Sequence, residues 1–150
     1  MAAPPIQHQR CVILADRHHG LTEGVRGLLE TMFDTVIMVA DEASLLESAS
    51  RLEPAAVIAD LSLARIDNLG WLRQLRIICP KTKLIVLSVH DEPSVCARTI
   101  EAGADGFIFK RAIATDLLPG LDAVLGGKQY VSRALQPRDP GSSRKPTRSS

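Results

Sequence analysis

Five short apolar runs divide the first 110 residues of the chain, at positions 11–15, 36–40, 55–59, 84–87 and 106–109. Runs this short, with almost no polar interruption, are typical of strands that are covered on both faces of a parallel sheet. The segments between them place leucine, isoleucine and valine at helical spacing. The sequence therefore predicts strands that alternate with helices.

Five helices are predicted, over residues 21–32, 43–52, 69–78, 92–102 and from about Asp116 to Gly126. Asp41 and Asp67 are placed to cap the second and third helices, and Gly103 follows the fourth, where a left-handed terminator is common. The last helix is expected to begin late, near Asp116, because Pro119 would then lie in its first turn. The alternative is a kink at Pro119.

Right-handed crossovers between parallel strands give the fold class, α/β: a five-stranded doubly wound sheet with helices on both faces, in three layers. The strand order 2-1-3-4-5 places the first and third strands side by side where the winding direction reverses. Residues 16–20, after the first strand, match neither G-x-G-x-x-G nor a P-loop. Nucleotide sites of those two kinds are therefore disfavoured.

Composition sets the domain limits and disfavours several classes of ligand. Aromatic residues make up 3% of the chain, so base-stacking platforms for single-stranded nucleic acid are disfavoured. Residues 132–150 hold five basic side chains and one acidic, so the rest of the chain is net negative despite an overall charge of +1. We expect a disordered arm at 1–9, one domain at 10–131 and a disordered tail or linker at 132–150.

The cysteines and the start of the chain point to a reducing compartment. Cys11, Cys79 and Cys96 are odd in number and lie in apolar surroundings, as expected for reduced core residues. No apolar stretch approaches the roughly 20 residues that span a bilayer, and the first residues lack the regions of a signal peptide. A cytoplasmic protein without membrane contact is expected.

Four polar side chains follow the predicted strands, namely Asp16, Asp60, Ser88 and Lys110. The carboxyl ends of parallel strands share the edge where ligands bind, so these groups are predicted to converge in one pocket. Carboxylates suit Mg²⁺, and a lysine with a hydroxyl can bind phosphate oxygens. Any one aspartate alone is more simply a cap, but together the four residues predict phosphoryl transfer onto Asp60 as nucleophile.

The combination resembles the receiver domain of two-component response regulators. The matching stretches are residues 13–16, 59–62, 86–88, 101–107 with Lys110, and 127–132. From about Arg10 to Leu135 the chain is similar to this family, whose fold is a flavodoxin-like or CheY-like (βα)5 sandwich. The resemblance is closest to the regulators of the LuxR/NarL type.

The resemblance implies that Asp60 accepts a phosphoryl group from the phosphohistidine of a sensor histidine kinase. Ser88 and Lys110 would bind the incoming group. Asp16, Asp60 and the backbone carbonyl of Ser62 would hold Mg²⁺. Ser88 would also act as a switch residue, because its loop closes on the bound phosphate.

Phe107 matches the family's second switch residue, an aromatic that turns inward when that loop closes. An ordinary core aromatic is the equally simple alternative. The resemblance further implies signalling through protein contacts, with no enzymatic turnover beyond self-phosphorylation and with a homodimer as one assembly. DNA contact is expected only through an output domain outside these 150 residues.

Arg17 departs from the family pattern, which has a second acid at this position. A guanidinium cannot bind a metal ion, but it can pair with a carboxylate through two hydrogen bonds. It would occupy the magnesium position, pair with Asp60 or turn into solvent. The hypothesis is that Mg²⁺ binding is weak or absent and that phosphorylation is slow or absent.

Two other functions are compatible with the sequence. A protein-interaction module without phosphoryl chemistry, a pseudo-receiver, is favoured by Arg17. A small phosphatase with Asp60 as nucleophile is less well supported, because such hydrolases need a second acid two residues on, and Ser62 stands there.

Overall fold

The computed structural model describes residues 10–18, 22–64 and 69–132. The strands in this part of the chain are β1 Cys11–Ala15, β2 Thr35–Val39, β3 Ala56–Asp60, β4 Lys83–Ser88, β5 Gly106–Phe109 and β6 Tyr130–Val131. The helices are α1 Thr22–Leu29, α2 Glu42–Leu52, α3 Gly70–Ile78, α4 Pro93–Glu101 and α5 Ile113–Leu125. None of these helices is long and apolar enough to cross a membrane.

All strands are parallel, in the order β2-β1-β3-β4-β5-β6. The predicted alternation of strands and helices and the order of the first five strands are confirmed. The prediction of five strands was one short, because β6 adds a sixth beside β5. A strand of two residues is too short to carry a period-two pattern, so the hydrophobic sequence does not reveal it.

Two apolar layers, one on each face of the sheet, form the core. Along β1, Ile13 and Ala15 pack with α2, α3 and α4, whereas Val12 and Leu14 pack with α1 and α5. Every residue of β3 is buried, as expected for a central parallel strand. The three-layer arrangement predicted from the sequence is confirmed.

Two of the predicted helix boundaries have the expected chemistry. Asp41 caps α2 by accepting a hydrogen bond from the Ser44 amide at 2.7 Å, and this bond lowers the pKa of the Asp41 carboxyl. Gly103 ends α4 with a φ of 127°, which disfavours residues with a side chain. The proposed cap Asp67 lies outside the described residues, and α3 begins after Leu69 without a side-chain cap from the described residues.

All three cysteines are free. Cys79 and Cys96 are buried and Cys11 is partly buried. Burial raises the pKa of each thiol, so the reactive thiolate is scarce at neutral pH. The predicted core position is confirmed for Cys79 and Cys96, whereas Cys11 lies at the margin of the core.

One residue that was predicted to belong to the tail is part of the folded domain. Ser132, which was assigned to the tail at 132–150, is buried and its amide donates to the Phe107 carbonyl at 2.9 Å. The reason is β6, which holds this segment against β5. The rest of the predicted tail, 133–150, and the predicted arm, 1–9, lie outside the described residues.

The predicted late start of the last helix was wrong. Helix α5 begins at Ile113, so Pro119 lies in its interior. Four buried side chains pack α5 against the sheet and outweigh the cost of the proline, namely Ile113, Leu117, Leu121 and Val124. Pro119 and Thr115 are both exposed, so water can bind the Thr115 carbonyl that has lost its amide donor.

Pro119→Ala is expected to stabilise the domain. The substitution restores a helix hydrogen bond and removes a clash, which we expect to raise the free energy of unfolding by about 1–2 kcal/mol after the greater entropy of the unfolded chain is counted. Chemical denaturation measures the change. Pro93→Ala is the matched control, because Pro93 is exposed at the first position of α4, where proline is favourable. An unchanged free energy of unfolding in Pro119→Ala would contradict the placement of Pro119 in the interior of α5.

Candidate functional site

The carboxyl ends of four adjacent strands bring the predicted site residues to one edge of the sheet. Ala15 pairs with Ala59, so Asp16 and Asp60 follow at the same level, and Ser88 pairs with Phe109, just before Lys110. The side chains of Asp16, Asp60 and Ser88 are almost fully buried, with residue exposures of 4%, 3% and 1%. The sequence-based prediction that these groups converge agrees with this placement.

The ammonium of Lys110 lies between the two carboxylates. Its Nζ is 2.8 Å from Oδ1 of Asp60 and 3.7 Å from Oδ2 of Asp16. All three side chains are largely withdrawn from solvent, with the Lys110 side chain 14% exposed. Two buried carboxylates this close repel each other, so one shared cation offsets both their repulsion and part of their desolvation.

Each carboxylate also caps the loop that follows its strand. Oδ2 of Asp60 accepts from the Ser62 amide at 3.1 Å and from the Ser62 hydroxyl, and Oδ1 of Asp16 accepts from the His18 amide at 2.9 Å. The simpler interpretation of these aspartates as caps is therefore also correct. The hydroxyl of Ser62 was not assigned a role from the sequence; the Asp-x-Ser spacing, which is common in caps, is the signal for it.

The two residues predicted to act as a switch differ in their surroundings. The Ser88 hydroxyl accepts from the His90 amide at 2.9 Å, within its own loop. Phe107 is fully buried and pairs in register with Val86 in the middle of the sheet. An inward ring is common to both interpretations of Phe107, the switch and the ordinary core residue.

A cavity of about 650 Å³ opens above these groups. Asp60, Ser88 and Lys110 line it. The remaining lining consists of the basic or imidazole side chains of Arg17, His18, His90 and Arg98, the acidic Glu92, the polar Ser62 and the apolar Leu61, Ala64, Val89 and Val95. Arg17, Arg98 and Lys110 outnumber Glu92 in this lining, so the cavity offers mainly positive and apolar surface beside the carboxylate of Asp60.

Arg17 lies at the carbonyl that the family pattern assigns to the metal. Its Nη1 donates to the backbone oxygen of Ser62 at 3.4 Å. Asp16, Asp60 and this carbonyl form an oxygen donor set of the kind that Mg²⁺ uses. However, Lys110 and Arg17 already contact these oxygens, and the described residues contain no cluster of three or more histidine, cysteine or acidic side chains suited to a metal.

Similarity to known proteins agrees with this geometry. The family model of the response regulator receiver domain matches residues 12–121. The chain is 30% identical over 135 residues to the nitrate/nitrite response regulator protein NarL of Escherichia coli K12, an alignment that covers 87% of this chain and 62% of NarL. It is 32% identical over 126 residues to NarP of the same strain, covering 83% of this chain and 59% of NarP.

The solved structures show the same fold. The isolated REC domain of RcsB from Salmonella enterica serovar Typhimurium, in the presence of the phosphomimetic BeF3⁻, superimposes with a TM-score of 0.74 at 23% identity, over 85% of this chain and 96% of that one. Against NarL and NarP, by contrast, the chain spans only about three-fifths of the relative's length. The family match, the fold and the relatives of the LuxR/NarL type agree: the chain belongs to the response regulator receiver domain family of two-component signalling.

Proposed function

We propose that this receiver domain accepts a phosphoryl group on Asp60 from the phosphohistidine of a sensor histidine kinase. One carboxylate oxygen attacks phosphorus, the P–N bond breaks, and the imidazole nitrogen leaves with the electron pair. The observation that carries the proposal is the 2.8 Å contact between Lys110 Nζ and Asp60 in a buried site. An ammonium fixed there stabilises the charge that develops on the phosphoryl oxygens.

Ser88 and Phe107 would complete the response to phosphorylation. A phosphoryl group adds nearly two negative charges and three strong acceptors beside Lys110. We propose that the Ser88 hydroxyl then leaves the His90 amide and donates to a phosphoryl oxygen, which draws its loop inward over Phe107. The proposal is supported by the position of Ser88, which lines the same cavity as Asp60.

Receiver domains typically bind Mg²⁺ through acidic residues. Here Asp16, Asp60 and the Ser62 carbonyl would hold the ion, which would supply positive charge to the phosphoryl oxygens. We propose that binding is weak or absent and phosphorylation correspondingly slow, because the guanidinium of Arg17 contacts the Ser62 carbonyl. The same contact is the specific observation that favours the second candidate, a pseudo-receiver that signals through protein contacts alone.

The wider role is proposed from the relatives. Response regulator receiver domains interact with histidine kinases, and RcsB is described as dimers bound to DNA. We propose that this domain receives phosphate from a sensor kinase in the cytoplasm, forms a homodimer in one of its states and reaches DNA only through an output domain. A phosphatase is not proposed, because Ser62 stands at the position of the second acid and donates its hydroxyl to Asp60.

Incubation with acetyl phosphate and Mg²⁺ is expected to add the mass of one phosphoryl group, detected by intact-protein mass spectrometry. Asp60→Asn should abolish the adduct because it removes the nucleophile. Asp41→Asn is the matched control: Asp41 also follows a strand closely but only caps α2, so the adduct should persist. A wild-type protein that remains unmodified would reject the phosphoacceptor in favour of the pseudo-receiver.

Arg17→Asp is expected to raise the affinity for Mg²⁺ by about one to two orders of magnitude, because it restores an acidic ligand and removes a competing cation. Isothermal titration calorimetry measures the change. Arg98→Asp is the control, since Arg98 lines the same cavity and changes its charge equally, but no contact with the Ser62 carbonyl is seen. An unchanged affinity in Arg17→Asp, or an equal gain in both variants, would refute the assigned role of Arg17.

A further inference from the structure

The chain exit, Ser132 at the end of the described residues, is bonded to β5, the strand that directly precedes Lys110. Ser132 directly follows β6 and is 1% exposed. Its amide donates to the Phe107 carbonyl at 2.9 Å. Its hydroxyl accepts from the Phe109 amide at 3.0 Å and donates to Oδ2 of Asp116 at 2.9 Å. One buried residue therefore joins the chain exit, the end of β5 and the first turn of α5.

The hydrogen bond from the Phe109 amide to the Ser132 hydroxyl takes the place of a ladder hydrogen bond between β5 and β6. The β5–β6 ladder pairs Gly106 with Tyr130 and Phe107 with Val131, so it ends before Phe109. Phe109 is itself buried, and a buried amide without an acceptor is destabilising. The Ser132 hydroxyl supplies the acceptor at the residue immediately before Lys110.

Asp116 fixes the orientation of this hydroxyl. Because the Ser132 proton is directed to the Asp116 carboxylate, a lone pair of its oxygen is left for the Phe109 amide. The bond to a charged acceptor is stronger than one to a neutral group. Lys110 begins the 3₁₀ turn that leads into α5. The Ser132 hydroxyl therefore links the residue before Lys110 to the helix that follows it.

We propose that Ser132, oriented by Asp116, is a positioning residue that holds Lys110 against Asp60. It thereby couples the attachment of the chain exit to β5 with phosphate binding. The inference rests on the proposed function of Asp60. A lysine side chain is long and flexible. Its ammonium therefore stays within reach of Asp60 only while the backbone that carries it is held in place. Such coupling is reciprocal. Breaking the hydrogen bonds of Ser132 would weaken phosphate binding, and phosphate binding would strengthen the attachment of the chain exit to β5.

The test measures the affinity of the full chain for beryllofluoride in the presence of Mg²⁺, by calorimetry, together with the free energy of unfolding. Ser132→Ala is expected to weaken beryllofluoride binding by about tenfold, the value of one well-placed hydrogen bond. Ser132→Thr keeps the hydroxyl and should restore most of the affinity. Asp116→Asn keeps the shape but loses the charge and should weaken binding by a smaller factor.

Thr82→Ala is the matched control for stability. Thr82 is also buried and donates its hydroxyl to the Pro54 carbonyl at 2.7 Å, but it precedes β4 at the opposite edge of the sheet. It should lose stability without losing affinity for beryllofluoride. Hydrogen exchange adds a local measurement: beryllofluoride should protect the Phe109 amide in the wild type and not in Ser132→Ala.

The outcomes separate the two proposals. If the wild type binds beryllofluoride and Ser132→Ala binds it equally well, the positioning role is refuted and the function of Asp60 stands. Equal losses of affinity in Ser132→Ala and Thr82→Ala would show that the hydroxyl matters only for stability, which also refutes it. A wild type that does not bind beryllofluoride would refute the proposed function and this inference with it.

Discussion

The shared ion pair at the edge of the sheet is the interaction on which the site depends. Asp16 and Asp60 are brought together by the pairing of β1 with β3, and both are almost fully buried. Two buried carboxylates are costly without a cation, and Lys110 is the one that contacts both in the described part of the chain. Two of these three groups, Asp60 and Lys110, also line the cavity in which we propose that a phosphoryl group binds.

Much of this arrangement could be predicted from the sequence because it follows from periodicity and topology. The bounds of β1 and β5 agree with two of the apolar runs, and the doubly wound order places their polar ends together. The ends of β3 and β5 therefore indicated Asp60 and Lys110 as site residues without any knowledge of side-chain geometry. Helix caps such as Asp41 were predictable for a similar reason, because the interaction lies within three residues.

The features that were missed depend on contacts between distant parts of the chain. The start of α5 is set by burial against the sheet, which overrides the local preference of Pro119. Strand β6 is too short for any periodic signal, and only its pairing with β5 defines it. The contacts of Ser132 follow from β6, because its hydroxyl meets Phe109 only after the chain has returned beside β5. Such long-range bonds have no signature in a local pattern.

The proposed weakness of Mg²⁺ binding has a basis in charge as well as in contact. Asp16 and Asp60 carry two negative charges, and Lys110 and Arg17 together carry two positive ones. An arginine in place of an acid changes the local charge by two, which equals the charge that a magnesium ion brings. A site that is already neutral has lost most of the electrostatic attraction for a dication. Without the ion, a phosphoryl group that reaches Asp60 would meet only the charges of side chains such as Lys110 and Arg17, which is the physical reason for the slow phosphorylation that we propose.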